Sequence, residues 1–167
     1  QDICREVLNR EPEVLVLHGD PESLSVEVRS ELIKNYVTAY SQGGWRGLKM
    51  PIGEVQRLAH TDLASDIHTY LEKRHENEEV TEFLLKLVWL GGIQDCAGDA
   101  YNAAMDESLG TYSRTLAIKA LYACDKSNLL RAIAQDILAN EDRWEGKIIH
   151  SVIEELYPSI ISTGELG

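Results

Sequence analysis

Val80-Thr-Glu-Phe-Leu-Leu-Lys-Leu-Val-Trp-Leu90 and Tyr112-Ser-Arg-Thr-Leu-Ala-Ile-Lys-Ala-Leu-Tyr122 are two versions of one pattern. A shift of 33 positions lays Phe83 on Leu116, Leu84 on Ala117, Leu85 on Ile118, Lys86 on Lys119 and Val88 on Leu121. Apolar residues in the first stretch cover more than one helical face, which is expected of a helix buried between layers. Two cleaner amphipathic helices begin near Ile93 and near Leu129, between and after the matched pair. Self-similarity at such a period is the signature of stacked helical hairpins, none of which can bury its apolar faces alone. No segment alternates with period two, so no sheet is expected. The fold class expected is all-α, an α–α superhelix of hairpin repeats.

Working outward, Asn77 followed by Glu78 and Glu79 reads as an N-cap with acidic residues at the positive end of the helix. Gly91-Gly92 closes that helix. Thr111 is expected to cap the helix containing Leu116, and Asn140-Glu141-Asp142 to cap a last one carrying Ile148, Val152 and Leu156. That third copy follows Leu116 by 32 positions, a spacing that small turn insertions can accommodate. Upstream, Leu63, Ile67 and Leu71 form one stripe of a helix expected to run to about His75, after an interruption at Thr61-Asp62. The lead-in has short helices at Ile3–Asn9 and from Pro12 to Leu17, a turn at Gly19-Asp20-Pro21, and a helix capped by Ser25. The organisation expected is a lead-in over 1–60, an array over 61–157 and a tail over 158–167.

Ser41 to Gly53 breaks the pattern, because its glycines and Pro51 forbid a continuous helix. Trp45, Arg46 and Lys49 give this loop an aromatic and two cations in an acidic chain. Trp and Arg are enriched among interface hot spots, and loops on rigid scaffolds often carry binding. These three are the candidate partner-binding residues. The competing reading of Trp45 is a loop anchor tucked against the neighbouring helix.

Sixteen Lys and Arg against 28 Asp and Glu leave a net charge of −12, which opposes binding to a phosphate backbone. A nucleic-acid-binding array, the alternative function, would need a coherent stripe drawn from Lys86, Arg114, Lys119, Arg131, Arg143 and Lys147, and these are interspersed with acids. Cys4, Cys96 and Cys124 lack CxxC spacing and point to a reducing, cytoplasmic setting. No run of apolar residues is long enough to span a membrane. His60, His68 and His75, with Glu72, have spacings that a continuous helix would bring toward one side, but Thr61-Asp62 interrupts that helix. Phosphate-loop, GxSxG, HExxH and EF-hand patterns are all missing, so neither catalysis, a metal nor a cofactor is expected. The ends at Gln1 and Gly167 read as those of an excised piece.

The helix pairs of residues 62–157, with Arg114 in the first turn of the Tyr112–Tyr122 helix and small and aliphatic residues after it, resemble HEAT-like repeats. The segments Gly19-Asp20-Pro21-Glu-Ser-Leu24, Val28-Arg29 and Leu58-Ala59-His60-Thr-Asp62-Leu63 look similar to the helical region downstream of the nucleotide-binding module in bacterial NACHT-type (STAND) NTPases. That likeness implies a sensor or autoinhibitory array in a larger signalling or defence protein. Its partner would be another protein or another domain of the parent chain.

Overall fold

The computed structural model describes residues 2–44, 46–48 and 50–156. Its described residues form ten helices and no strand, so the chain is all-α. The helices are α1 (Asp2–Arg10), α2 (Pro12–His18), α3 (Val26–Tyr40), α4 (Ile52–Leu58), α5 (Ala64–Leu71), α6 (Glu78–Gly91), α7 (Ala97–Met105), α8 (Thr111–Ala123), α9 (Ser127–Ala139) and α10 (Gly146–Leu156). No helix among the described residues is long and apolar enough to cross a membrane.

Two layers follow from which helices touch. One runs α2, α4, α6, α8, α10, each packed on the next. The other runs α3, α5, α7, α9, with α5 meeting α7 through the 3-10 turn Gln94–Cys96 that opens it. Helix α1 packs on α2 and α3 at one end. Lying between α4 and α8 and against α5 and α7, α6 buries nine residues of its fourteen, from Glu79 to Val88, as its all-round apolar pattern requires.

Element boundaries recur at a fixed interval. Helices α4 and α6 end at Leu58 and Gly91, the following 3-10 turns begin at Thr61 and Gln94, and α5 and α7 begin at Ala64 and Ala97, each 33 residues apart. Helices α6 and α8 start at Glu78 and Thr111, again 33 apart. The core repeats with them: Val55, Val88 and Leu121 are wholly buried, as are Ile67, Ala100 and Ile133. The second series goes from large to small and back, so residue size varies at equivalent core positions while the helix boundaries are kept.

The caps explain why helices stop where they do. Asn77 accepts a hydrogen bond from the Glu79 amide (3.1 Å), as an N-cap should. At the other end of α6, Gly92 adopts a left-handed conformation (φ 55°, ψ 41°). The Ile93 amide donates to the Val88 carbonyl (3.1 Å) and the Gly92 amide to that of Trp89 (3.3 Å), which is a Schellman closure. Helix α8 closes the same way around Asp125 (φ 55°), with Lys126 donating to Leu121 (3.2 Å) and Asp125 to Tyr122 (3.0 Å).

Three boundaries differ from the sequence reading. Helix α5 stops at Leu71, not near His75, because the Tyr70 carbonyl takes the Lys73 amide (3.2 Å) and the His75 Nε2–H (2.9 Å). Gly110, not Thr111, is the N-cap of α8. The capping acceptor there is the distant Glu78 carboxylate, which takes the Gly110 amide (2.7 Å) and the Ser113 hydroxyl (2.5 Å), while Thr111 donates to Glu145. Residues Glu141–Arg143 form a 3-10 turn, and α10 starts only at Gly146. Trp144, buried between that turn and α10, sets this longer connection: its Nε1–H donates to Asp136 (2.8 Å) and its ring lies 4.2 Å from the Arg114 guanidinium carbon.

Candidate interaction surface

The irregular loop between α3 and α4 is held by the start of α6. The Ser41 carbonyl accepts from the Glu76 amide (2.9 Å) and the Asn77 amide (3.3 Å), and the Gly43 amide donates to the Glu76 carboxylate (3.1 Å). Deeper in, the Glu79 carboxylate, 5% exposed, takes the backbone N–H groups of Arg46 (2.5 Å) and Leu48 (2.6 Å). These two charge-assisted bonds stabilise a carboxylate that would be costly to bury alone. Gly43, at φ 86°, allows the chain to turn here, and a Cβ on it would lie 2.9 Å from the Arg46 guanidinium. Met50 is buried, and its carbonyl faces the Lys86 ammonium at 3.4 Å.

Of the three candidate binding residues, Arg46 is exposed. Its guanidinium donates to the Gln42 carbonyl (3.2 Å) and sits 5.9 Å from the Tyr40 ring centroid. Trp45 and Lys49 lie outside the described residues. Sequence reasoning missed Glu79, which looked like one more helix-N-terminal acid beside Glu76 and Glu78. No local signal marks it, because the backbone donors it holds lie on a loop more than 30 residues upstream.

Along the first layer, cations and aromatics of α6 and α8 stack on one another. Lys86 of α6 lies 5.5 Å from the Tyr112 ring, and Lys119 of α8 lies 5.0 Å from the Trp89 ring while pairing with Glu155 of α10 (3.8 Å). Tyr112 remains exposed, as does Tyr122 at the other end of α8. Glu82, half-buried on α6, is pushed up to about 7 by burial, with Glu78 and Glu79 adding to the rise and Lys86 opposing it.

On the other side a groove of about 700 Å³ opens between the α5–α6 turn and α7 with the α7–α8 turn. Its walls are bridged by His68 of α5, whose Nδ1 lies 2.9 and 3.0 Å from the Asp99 oxygens of α7 and whose Nε2 faces Glu72 at 3.5 Å. The Asp99 carboxylate holds the His68 pKa above its ordinary value. Burial pulls that of His75 down, and His60 Nδ1 accepts from the Asp62 amide (3.2 Å). The three histidines thus engage separate partners, and among the described residues no three His, Cys, Asp or Glu side chains converge as metal ligands would. Cys96 and Cys124 are buried free thiols, the former donating to the Ala64 carbonyl (3.3 Å).

The cations considered for nucleic-acid contact are largely used within the fold. Arg114 is 3% exposed and donates to the Ala104 carbonyl (2.9 Å) at the end of α7. Arg143 donates to Glu107, to Asp136 (3.2 Å) and to the Met105 carbonyl (3.0 Å). Arg29 plays the same part earlier, donating to the Leu58 and Arg57 carbonyls that end α4. Cations at helix C-termini satisfy orphan carbonyls and oppose the negative dipole end. No protein-family model, no curated protein and no solved structure matches this chain.

Proposed function

We propose that the chain is a right-handed α–α superhelix of HEAT-like hairpins serving as a non-catalytic interaction or sensor scaffold inside a larger NACHT-type signalling or defence NTPase. The observation that supports this best is the recurrence of helix ends, 3-10 turns and second-helix starts at 33-residue intervals across α4 to α8. Stacked hairpins offer extended surfaces of fixed shape, suited to holding a protein partner or a neighbouring domain. The loop between α3 and α4 is the contact point in this reading. Its backbone is fixed by Glu79, so the exposed Arg46 is presented at low entropic cost, with Trp45 and Lys49 as its companions.

The test is a triple replacement, W45A/R46A/K49A, in the parent chain. Melting should stay within a few degrees of wild type, and affinity for the parent's remaining domains supplied in trans should fall at least tenfold, as loss of a Trp or Arg hot spot does. Unchanged affinity removes the loop from the account. Deleting residues 1–167 from the parent should raise nucleotide hydrolysis, and no hydrolysis by either form discards the NTPase setting.

The alternative, a nucleic-acid-binding array, is disfavoured by the inward commitment of Arg114 and Arg143. A salt-sensitive shift of DNA or RNA by the purified chain would revive it.

A further inference from the structure

We propose that the α3–α4 loop is a strap that opens and closes over the seam between α3 and α6, with Glu79 as its latch. The inference rests on the reading of this loop as the contact point and deepens it, making the latched strap the binding-competent form.

Among the described residues, the strap makes no backbone-to-backbone hydrogen bond within itself. Its amides are held by side chains at the start of α6 instead. Glu76 Oε2 takes that of Gly43 (3.1 Å), and the two Glu79 oxygens take those of Arg46 and Leu48 (2.5 and 2.6 Å). At the far end the Met50 carbonyl meets the Lys86 ammonium at 3.4 Å, a long contact. One carboxylate therefore decides whether two strap amides are bonded. Glycines flank Arg46 on both sides in left-handed conformation, Gly44 at φ 71° and Gly47 at φ 74°. A Cβ on Gly44 would meet nothing within 4 Å, so its backbone conformation and not its packing calls for glycine. Such positions let the chain change conformation without side-chain strain, as a hinge does.

A second, independent feature lies beneath the strap. The Tyr36 hydroxyl and the Asn77 Nδ2 are buried, in residues with no exposed surface, and neither has a hydrogen-bond partner among the described residues. Both residues belong to the seam. The Asn77 backbone N–H donates to the Ser41 carbonyl, where the strap begins (3.3 Å). The Tyr36 ring packs on Tyr40 at the end of α3 (centroids 5.0 Å apart) and on Phe83 of α6 (4.3 Å). Burial holds the Tyr36 phenol above its ordinary range and the Glu79 carboxylate adds to the rise, so the latch and the unpaired hydroxyl are neighbours. Unpaired buried polar groups favour any state in which water reaches them. The closed strap is thus held by the charge-assisted bonds of Glu79 against the groups it covers.

Native-state hydrogen exchange of the chain tests this, with the Arg46 and Leu48 amides as reporters. Both should exchange through an opening of the strap alone, at least about a hundredfold faster than the buried amides of α6 and α8. E79Q keeps one oxygen for one N–H but turns an NH2 group toward the other. It should speed both reporters about tenfold or more and leave the amides of α8 and α9 at wild-type protection. Y36F, which removes the unpaired hydroxyl and keeps the ring, should slow the same two amides about threefold or more. In the parent chain E79Q leaves Trp45, Arg46 and Lys49 in place, yet should lower affinity for the remaining domains at least about threefold, because less of the strap is latched. Reporters that exchange only with global unfolding, reporters that Y36F leaves unmoved, or unchanged affinity in an E79Q chain whose strap is freed each overturn the proposal. In all three cases a loss of affinity in W45A/R46A/K49A still upholds the loop as the contact point. Unchanged affinity in that triple variant sinks the contact reading itself, however the strap behaves.

Discussion

Glu79 and Glu82 sit one turn apart on α6, and the fold treats them in opposite ways. Two backbone N–H groups from the α3–α4 loop compensate Glu79. Among the described residues Glu82 has no such donor, and burial lifts it to about 7. In the sequence the two belong to one acidic run with Glu76 and Glu78, and no local signal separates them, because the donors lie more than 30 residues upstream. The pKa of Glu82 carries a stability consequence of definite sign. Its folded value lies above its unfolded one, so the native state binds the extra proton between about pH 4.5 and 7 and loses stability as pH rises through that window. E82Q removes the penalty of the buried charge. It should stabilise the protein by about 1–2 kcal/mol at pH 8, a few degrees in Tm, and by almost nothing at pH 4. Equal gains at both pH values in paired thermal melts would refute the account.

Helix existence was legible because the apolar stripes recur at 3.6 residues, and the 33-residue self-match alone locates α6 and α8. Helix ends were legible only where the cap is local. Asn77 and Gly92 satisfy groups within their own helix, and both were readable. Gly110 and the end of α5 were not, since Glu78 caps α8 from 32 residues away and His75 folds back onto Tyr70. The repeat also hides one compromise: Asp125 occupies the left-handed position that Gly92 holds one unit earlier. A side chain costs about 1 kcal/mol there, somewhat less for Asp than for most residues. D125G should therefore raise stability by about 0.5–1 kcal/mol, and G92A should lower it by about 1 kcal/mol or more. Chemical denaturation reads both, and a destabilised D125G would mean that Asp125 contributes contacts outweighing its backbone strain.

Each helix touches chiefly those near it in the chain, so the molecule's stability should be shared unevenly from α1 to α10. The core is densest around α6 and α8, whereas α10 depends on α8, α9 and the connection at Trp144. That dependence was invisible in the sequence, because only the fold brings Trp144 over Arg114. Removing its side chain leaves a cavity, strips the Arg114 guanidinium of its ring and frees the Asp136 acceptor. W144A should cost about 3 kcal/mol at that end. If neighbour contacts dominate, the loss stays local. Amides of α10 and the second half of α9 should then exchange far faster in native-state hydrogen exchange, while those of α4 and α5 keep their wild-type protection. A uniform fall from α4 to α10 would instead mean that the two layers unfold as one unit. In that case a partner bound at the α3–α4 loop would stabilise the whole molecule, α10 included, rather than only the helices nearest to it.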